Sequence, residues 1–247
     1  MTMTALADEL VDWLRTLGND ADAQANARYL QAFPGGYAEG DVFVGVHVPD
    51  VRTLARDGRS VQLDDIDALL QPEIHEARLL GAILAVDVYK SAKTPVETRD
   101  KIIALVLTRV EYLDNWDLVD TVAPYTPGPW LLDRSQGEQD AVLDDLTASP
   151  LLWRRRFAMV STLAMVRAGE MPQAFRLAET LIDDRHDLMH TAVGWMLREA
   201  GQRDRAALDA FLERHAATMP RTALRYTLEK HDADVRRDFM GQRAAAR

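Results

Sequence analysis

"ALADELVDWLRTLG", residues 5–18, sets the pattern that the rest of the chain repeats. Leu6, Leu10, Trp13, Leu14 and Leu17 recur at helical spacing and fall on one stripe, and Gly18 supplies a stop. Asp20 is the expected cap of a second helix, "ADAQANARYLQAF". The pattern then breaks at "PGGYAEGDVFVGVHVP", residues 34–49, where four glycines and two prolines predict an irregular loop or insertion. "VFVGV" within it is the one stretch that reads as a short strand. Beyond it, helical segments of about 10–17 residues alternate with brief breaks to the end of the chain. Pro95 and Pro172 stand at helix starts. Residues 241–247, "GQRAAAR", read as a frayed tail.

No extended alternating pattern is present, so the predicted class is all-α. Consecutive helix pairs with short breaks predict a curved superhelical stack of HEAT-like pairs, an α-solenoid of roughly 40-residue units. A globular bundle is the competing arrangement. No linker divides the chain, and residues 1–247 read as one repeat domain.

The bulk composition narrows the function. Apolar residues make up 47% of 247, enough for a sizeable core, and cysteine is absent, which removes disulfides and thiolate metal sites. No signal peptide or membrane-length apolar run is read, so a soluble, cytoplasmic protein is expected. The formal charge of −10 argues against a phosphate partner, but it is uneven. Residues 1–150 hold 12 Lys and Arg against 26 Asp and Glu; residues 151–247 hold 17 against 13. The C-terminal part is the better home for an anion.

Three stretches carry candidate chemistry. "EYLDNWDLVD", residues 111–120, sets four acids around one tryptophan. Asn115 is a natural N-cap, Asp117 suits the first turn, and Trp116 and Asp120 share a helix face at i and i+4. Asp120 beside an indole is either a half-buried acid paired structurally with an arginine or a site residue; both readings stay open. "WRRRF", residues 153–157, is the densest cationic run, and its arginines fan through about 200 degrees, too far for one ligand. In "TAVGWMLREAG", residues 191–201, Trp195 and Arg198 sit at i and i+3 with Gly194 adjacent, where close helix packing competes with a ligand. Arg198 has three candidate partners: Asp120, Glu199 or a phosphate. His186 and His190 lack a third metal ligand, and no metal is expected.

"NWDLVD", "WRRRFA", "AVGWMLRE" and "MPRTALRY", in this order from about Asn26 to Tyr226, resemble the AlkD-type DNA alkylation repair glycosylases. The resemblance implies a HEAT-like stack holding duplex DNA in its concave face. It also implies hydrolysis of the glycosidic bond of cationic N3- or N7-alkylated purines, without metal or organic cofactor. Carried over residue by residue, it assigns Asp120 as the catalytic carboxylate, with Trp116 and Trp195 as aromatics of the same cleft. Tyr29 becomes a third aromatic near the lesion, and Arg156 a contact to the DNA backbone, with Arg154 and Arg155 as weaker candidates. The lesion is expected to stay in the duplex, and the protein to act as a monomer at the nucleoid. This chain departs from the pattern at 34–41 and at Asp187 and Leu188, where the family can carry adjacent aromatics. A non-enzymatic helical-repeat module binding damaged or branched DNA, or a protein, is the alternative.

Overall fold

The computed structural model describes residues 3–57 and 60–242. It is all-α among these residues, as the periodicity predicts, and its helices form two compact units, residues 1–126 and 127–247.

The first unit contains α1 (Ala5–Leu17), α2 (Asp20–Tyr29), α3 (Val48–Ala55), α4 (Leu63–Leu69), α5 (His75–Lys90), α6 (Val96–Thr108) and α7 (Trp116–Val122). Helix α5 is its hub. It packs against α1, α3, α4, α6 and α7, so the apolar run Leu79 through Val86 is buried on every side. Helix α1 buries Ala7, Leu10, Val11 and Leu14, whereas Trp13 and Leu17 stay exposed. Helical spacing predicts those two on the inner stripe; the buried face lies about one position round, at Ala7, Leu10, Val11 and Leu14. Asn19, rather than Asp20, caps α2 by accepting from the Asp22 amide at 3.0 Å.

The second unit contains α8 (Pro127–Leu132), α9 (Gln136–Thr147), α10 (Leu152–Ala168), α11 (Pro172–Leu181), α12 (Asp187–Arg203), α13 (Arg205–His215), α14 (Arg221–Thr227) and α15 (Ala233–Gly241). Its contacts repeat with a step of two: α8 on α10, α10 on α12, α12 on α14. Helices α9, α11 and α13 pack against the flanks of this row, which is the signature of stacked helical repeats. Phe157, Leu177, Leu197 and Phe211 fill its core. Gly194 lets α12 and α14 meet: a Cβ there would lie 2.5 Å from the Ala223 carbonyl oxygen and 2.6 Å from Tyr226 Cβ.

Residues 34–47 are irregular, but the loop expected over 34–49 ends two residues early because Val48 and Pro49 open α3, where proline suits the first turn. "VFVGV" forms no strand among the described residues, and only an isolated bridge joins Val42 to Ile74. Of the expected frayed tail, Gly241 closes α15, and 243–247 lie outside the described residues. No helix among the described residues is long and apolar enough to cross a membrane.

Candidate active site

The opening of α7 explains the crowded acids of residues 111–120. The fully buried Asn115 caps the helix, its Oδ1 accepting from the Trp116 amide at 2.8 Å. Leu118, Val119 and Val122 point into the core, so Trp116, Asp117, Asp120 and Thr121 occupy the opposite face. All four line a cavity of about 370 Å³ in the first unit.

Three other elements complete its walls. Helix α2 contributes Tyr29, 71% exposed, whose ring meets Trp116 edge-on with centroids 6.0 Å apart. Helix α5 contributes His75, Glu76 and Leu79, and the irregular segment contributes Phe43, Val46 and His47. The Trp116 indole N–H donates to the Tyr37 hydroxyl at 3.0 Å, so the loop helps to fix the aromatic. Tyr29, Trp116 and Asp120 are thus brought together, with Asp120 half-buried at the cavity wall.

The loop is held by charges on an otherwise apolar helix. The buried Glu76 carboxylate accepts from the amides of Val44, Gly45 and Val46 at 3.1, 2.9 and 3.3 Å. Gly45 makes this nest of amides sterically available: its φ is 82°, and a Cβ would stand 2.1 Å from the Asn19 carbonyl oxygen. Two residues on, Arg78 pairs with Asp41 and with Asp114, the latter at 3.0 Å, and donates to the Pro72 carbonyl at 2.9 Å.

His75 lies between Asp41 and Asp117, with both nitrogens 2.9 Å from a carboxylate oxygen, and it stacks on Phe43 at 4.6 Å. Burial alone would lower its pKa, but the hydrogen bonds to Asp117 and Asp41 outweigh burial and raise it to about 9. For Asp41 the same contest ends below the usual carboxylate value: burial raises it, while His75 and Arg78 lower it further. Burial pushes Asp114 upward, against the pull of Arg78.

None of Tyr37, Asp41, Phe43, His75 and Glu76 is singled out by the sequence reading. The available signal was His75, Glu76 and Arg78 at the start of a helix, followed directly by the apolar run 79–86; buried charge of that kind needs partners.

The remaining candidates lie in the second unit. Trp195 is half-buried on α12 beside Gly194. Arg198 pairs with Glu229 and with Glu199, the latter at 3.1 Å. Arg156 is 4% exposed; its Nη1 donates to the Leu188 carbonyl at 2.6 Å and to Thr191 Oγ1 at 3.3 Å. Arg154 pairs with Asp145 at 2.7 Å, and Arg155 with Asp184 at 2.6 Å. His190 contacts Asp187 Oδ1 at 3.0 Å and the Asp184 carbonyl at 2.5 Å, and His186 caps α12.

A family model described as "DNA alkylation repair enzyme" matches residues 10–231. Among solved structures, a protein described as a predicted DNA alkylation repair enzyme from Enterococcus faecalis is similar in fold, with a TM-score of 0.68 and 16% identity. The match covers 87% of this chain and 97% of that one. No curated protein matches the chain.

Proposed function

The chain belongs to the DNA alkylation repair enzyme family, and on that premise we propose that it is a glycosylase hydrolysing the N-glycosidic bond of cationic N3- or N7-alkylated purines in duplex DNA. One observation carries the reading: Asp120 and two aromatics, Tyr29 and Trp116, line the same accessible cavity.

The chemistry asks for little else. An alkylated purine already bears a positive charge, so it leaves without prior protonation. As the C1′–N bond breaks, its electron pair neutralises the base, and oxocarbenium character grows on the sugar. Ionised Asp120 stabilises that cation and orients water; the water oxygen bonds to C1′ and its proton passes to the carboxylate. Trp116 and Tyr29 offer π faces to the cationic nucleotide, each favourable contact contributing about 0.5–2 kcal/mol. His75 is not the base in this scheme, since two carboxylates hold it protonated.

Trp195 is proposed as a further aromatic of the DNA site, and Arg154, Arg155 and Arg156 as its phosphate contacts. Arg154 exchanges most readily, because the side chain of its partner Asp145 is 72% exposed. Contact through buried Arg156 requires a local opening of the α12 start. The protein is proposed to act as a monomer, without a cofactor.

Purified protein incubated with N7-methylated duplex is expected to release 7-methylguanine and leave the strand intact. Asp120→Asn should bind the duplex like the wild type and release base about 100-fold more slowly or worse. Duplex binding by the wild type without release identifies a non-enzymatic damage-binding module instead.

A further inference from the structure

The irregular segment and the start of α7 are distant in sequence, yet both are tied to one helix. On α5, His75 and Arg78 stand three residues apart, on the same face. His75 bridges Asp41 to Asp117, and Arg78 bridges Asp41 to Asp114. Asp114 and Asp117 bracket Asn115 and Trp116, so two cations on α5 grip the chain on both sides of the site tryptophan. From the loop, Tyr37 completes the circuit by accepting the Trp116 indole N–H.

His75 is the unusual member. It is 2% exposed and occupies the first position of α5, where the helix dipole disfavours a cation. A neutral imidazole has one N–H and could donate to only one of the two carboxylates at 2.9 Å; the imidazolium donates to both. The ring also lies against Phe43, which lines the cavity with Asp120.

We propose that His75, as an imidazolium shared by Asp41 and Asp117, is a positioning residue that sets the 34–47 loop against the first turn of α7 and so fixes Trp116 and Asp120 at the reacting sugar. It touches no reacting atom. Its work is to keep the segment bearing Tyr37 and Phe43 in register with the helix bearing the carboxylate, and to neutralise Asp117 so that this acid does not compete with Asp120 for a cation. The catalytic part of this inference rests on the glycosylase reading; the clamp itself does not.

The test uses the full chain and has two arms. In ¹⁵N NMR, the His75 ring, assigned by its loss in His75→Gln, is expected to be protonated on both nitrogens at pH 7.5. Backbone amides of residues 42–46 are expected to exchange at least about ten-fold faster in His75→Gln, with α9 to α14 unchanged. A singly protonated ring, or unchanged loop exchange, overturns the clamp. In single-turnover assays on N7-methylated duplex, His75→Gln is expected to slow release on the order of ten- to hundred-fold, with duplex Kd moving less than about two-fold. Equal loss in both, or in neither, overturns the positioning role. A wild type that forms the clamp but releases no base refutes the glycosylase reading and with it the catalytic role, leaving a loop staple. Should His75→Gln fail to fold, wild-type ring protonation, with the ring assigned by through-bond correlation to the His75 backbone amide, and Asp41→Asn loop exchange decide the clamp.

Discussion

At the scale of single residues, His75 ties stability to pH. Its ordinary value of 6.5 is raised to about 9 in the folded chain by Asp117 and Asp41; Arg78 and Asp114 belong to the same charge cluster, and Glu76 and Asp120 line the same cavity. A raised histidine contributes stability that is fully present below pH 6.5 and is lost as pH climbs through 9. The shift corresponds to something on the order of 3 kcal/mol. Urea midpoints of the wild type should therefore fall between pH 6.5 and 9.5, and His75→Gln should be flatter over that window; parallel curves would show that the ring is not held as a cation. Arg78 is the complementary case. Arg78→Met leaves Asp41 and Asp114 facing each other without their shared cation. Removing one partner of a buried ion pair costs about 3–5 kcal/mol, and a loss below about 1 kcal/mol in urea titration would mean the pocket is wetter than its burial shows. Neither residue was legible as a site residue: their partners lie 34 to 42 positions away, and residue type alone does not say which distant acids a buried cation meets.

At the scale of elements, the helices were legible and their junctions only partly so. Apolar spacing locates α1, α5 and α10, and Asn115 marks the start of α7, because these signals are local. Spacing also placed Trp116 and Asp120 on one face, now seen as the cavity wall. The 34–47 segment reads from sequence only as a break, since its order comes from Glu76, His75 and Arg78 rather than from its own propensities. Glycines separate the two kinds of information. Gly194 sits mid-helix in α12, and alanine there must displace the Ala223 carbonyl at 2.5 Å or the Tyr226 Cβ at 2.6 Å. Gly194→Ala is expected to destabilise by about 1–3 kcal/mol despite alanine's higher helix propensity. Gly137 in α9 has nothing within 4 Å of its would-be Cβ, so Gly137→Ala should be neutral or stabilising by up to about 1 kcal/mol. Thermal melts of the pair decide whether the α12–α14 contact is as tight as described; equal shifts would contradict it.

At the scale of the whole molecule, the two units differ in charge. The first holds 11 Lys and Arg against 21 Asp and Glu; the second holds 18 against 18. An acidic chain that binds a polyanion depends on local cations, and in the second unit several of these are already engaged: Arg154 with Asp145, Arg155 with Asp184, Arg176 with Asp144 at 2.5 Å. Each phosphate contact made by such an arginine must first displace a carboxylate, which weakens binding and leaves that contact only partly formed, so fewer counterions are released than the arginine count allows. The consequence is testable by removing an acid rather than a base. If Arg154 meets phosphate only after leaving Asp145, Asp145→Asn should tighten duplex binding. It should also steepen the plot of log K against log salt by up to about 0.9, the slope expected for one additional phosphate contact. Arg154→Ala should shift both quantities the opposite way. Fluorescence anisotropy with an undamaged duplex across salt concentrations measures the two variants side by side, free of any turnover. Identical slopes for wild type, Asp145→Asn and Arg154→Ala would remove Arg154 from the DNA interface and leave the Asp145 pair as surface structure alone.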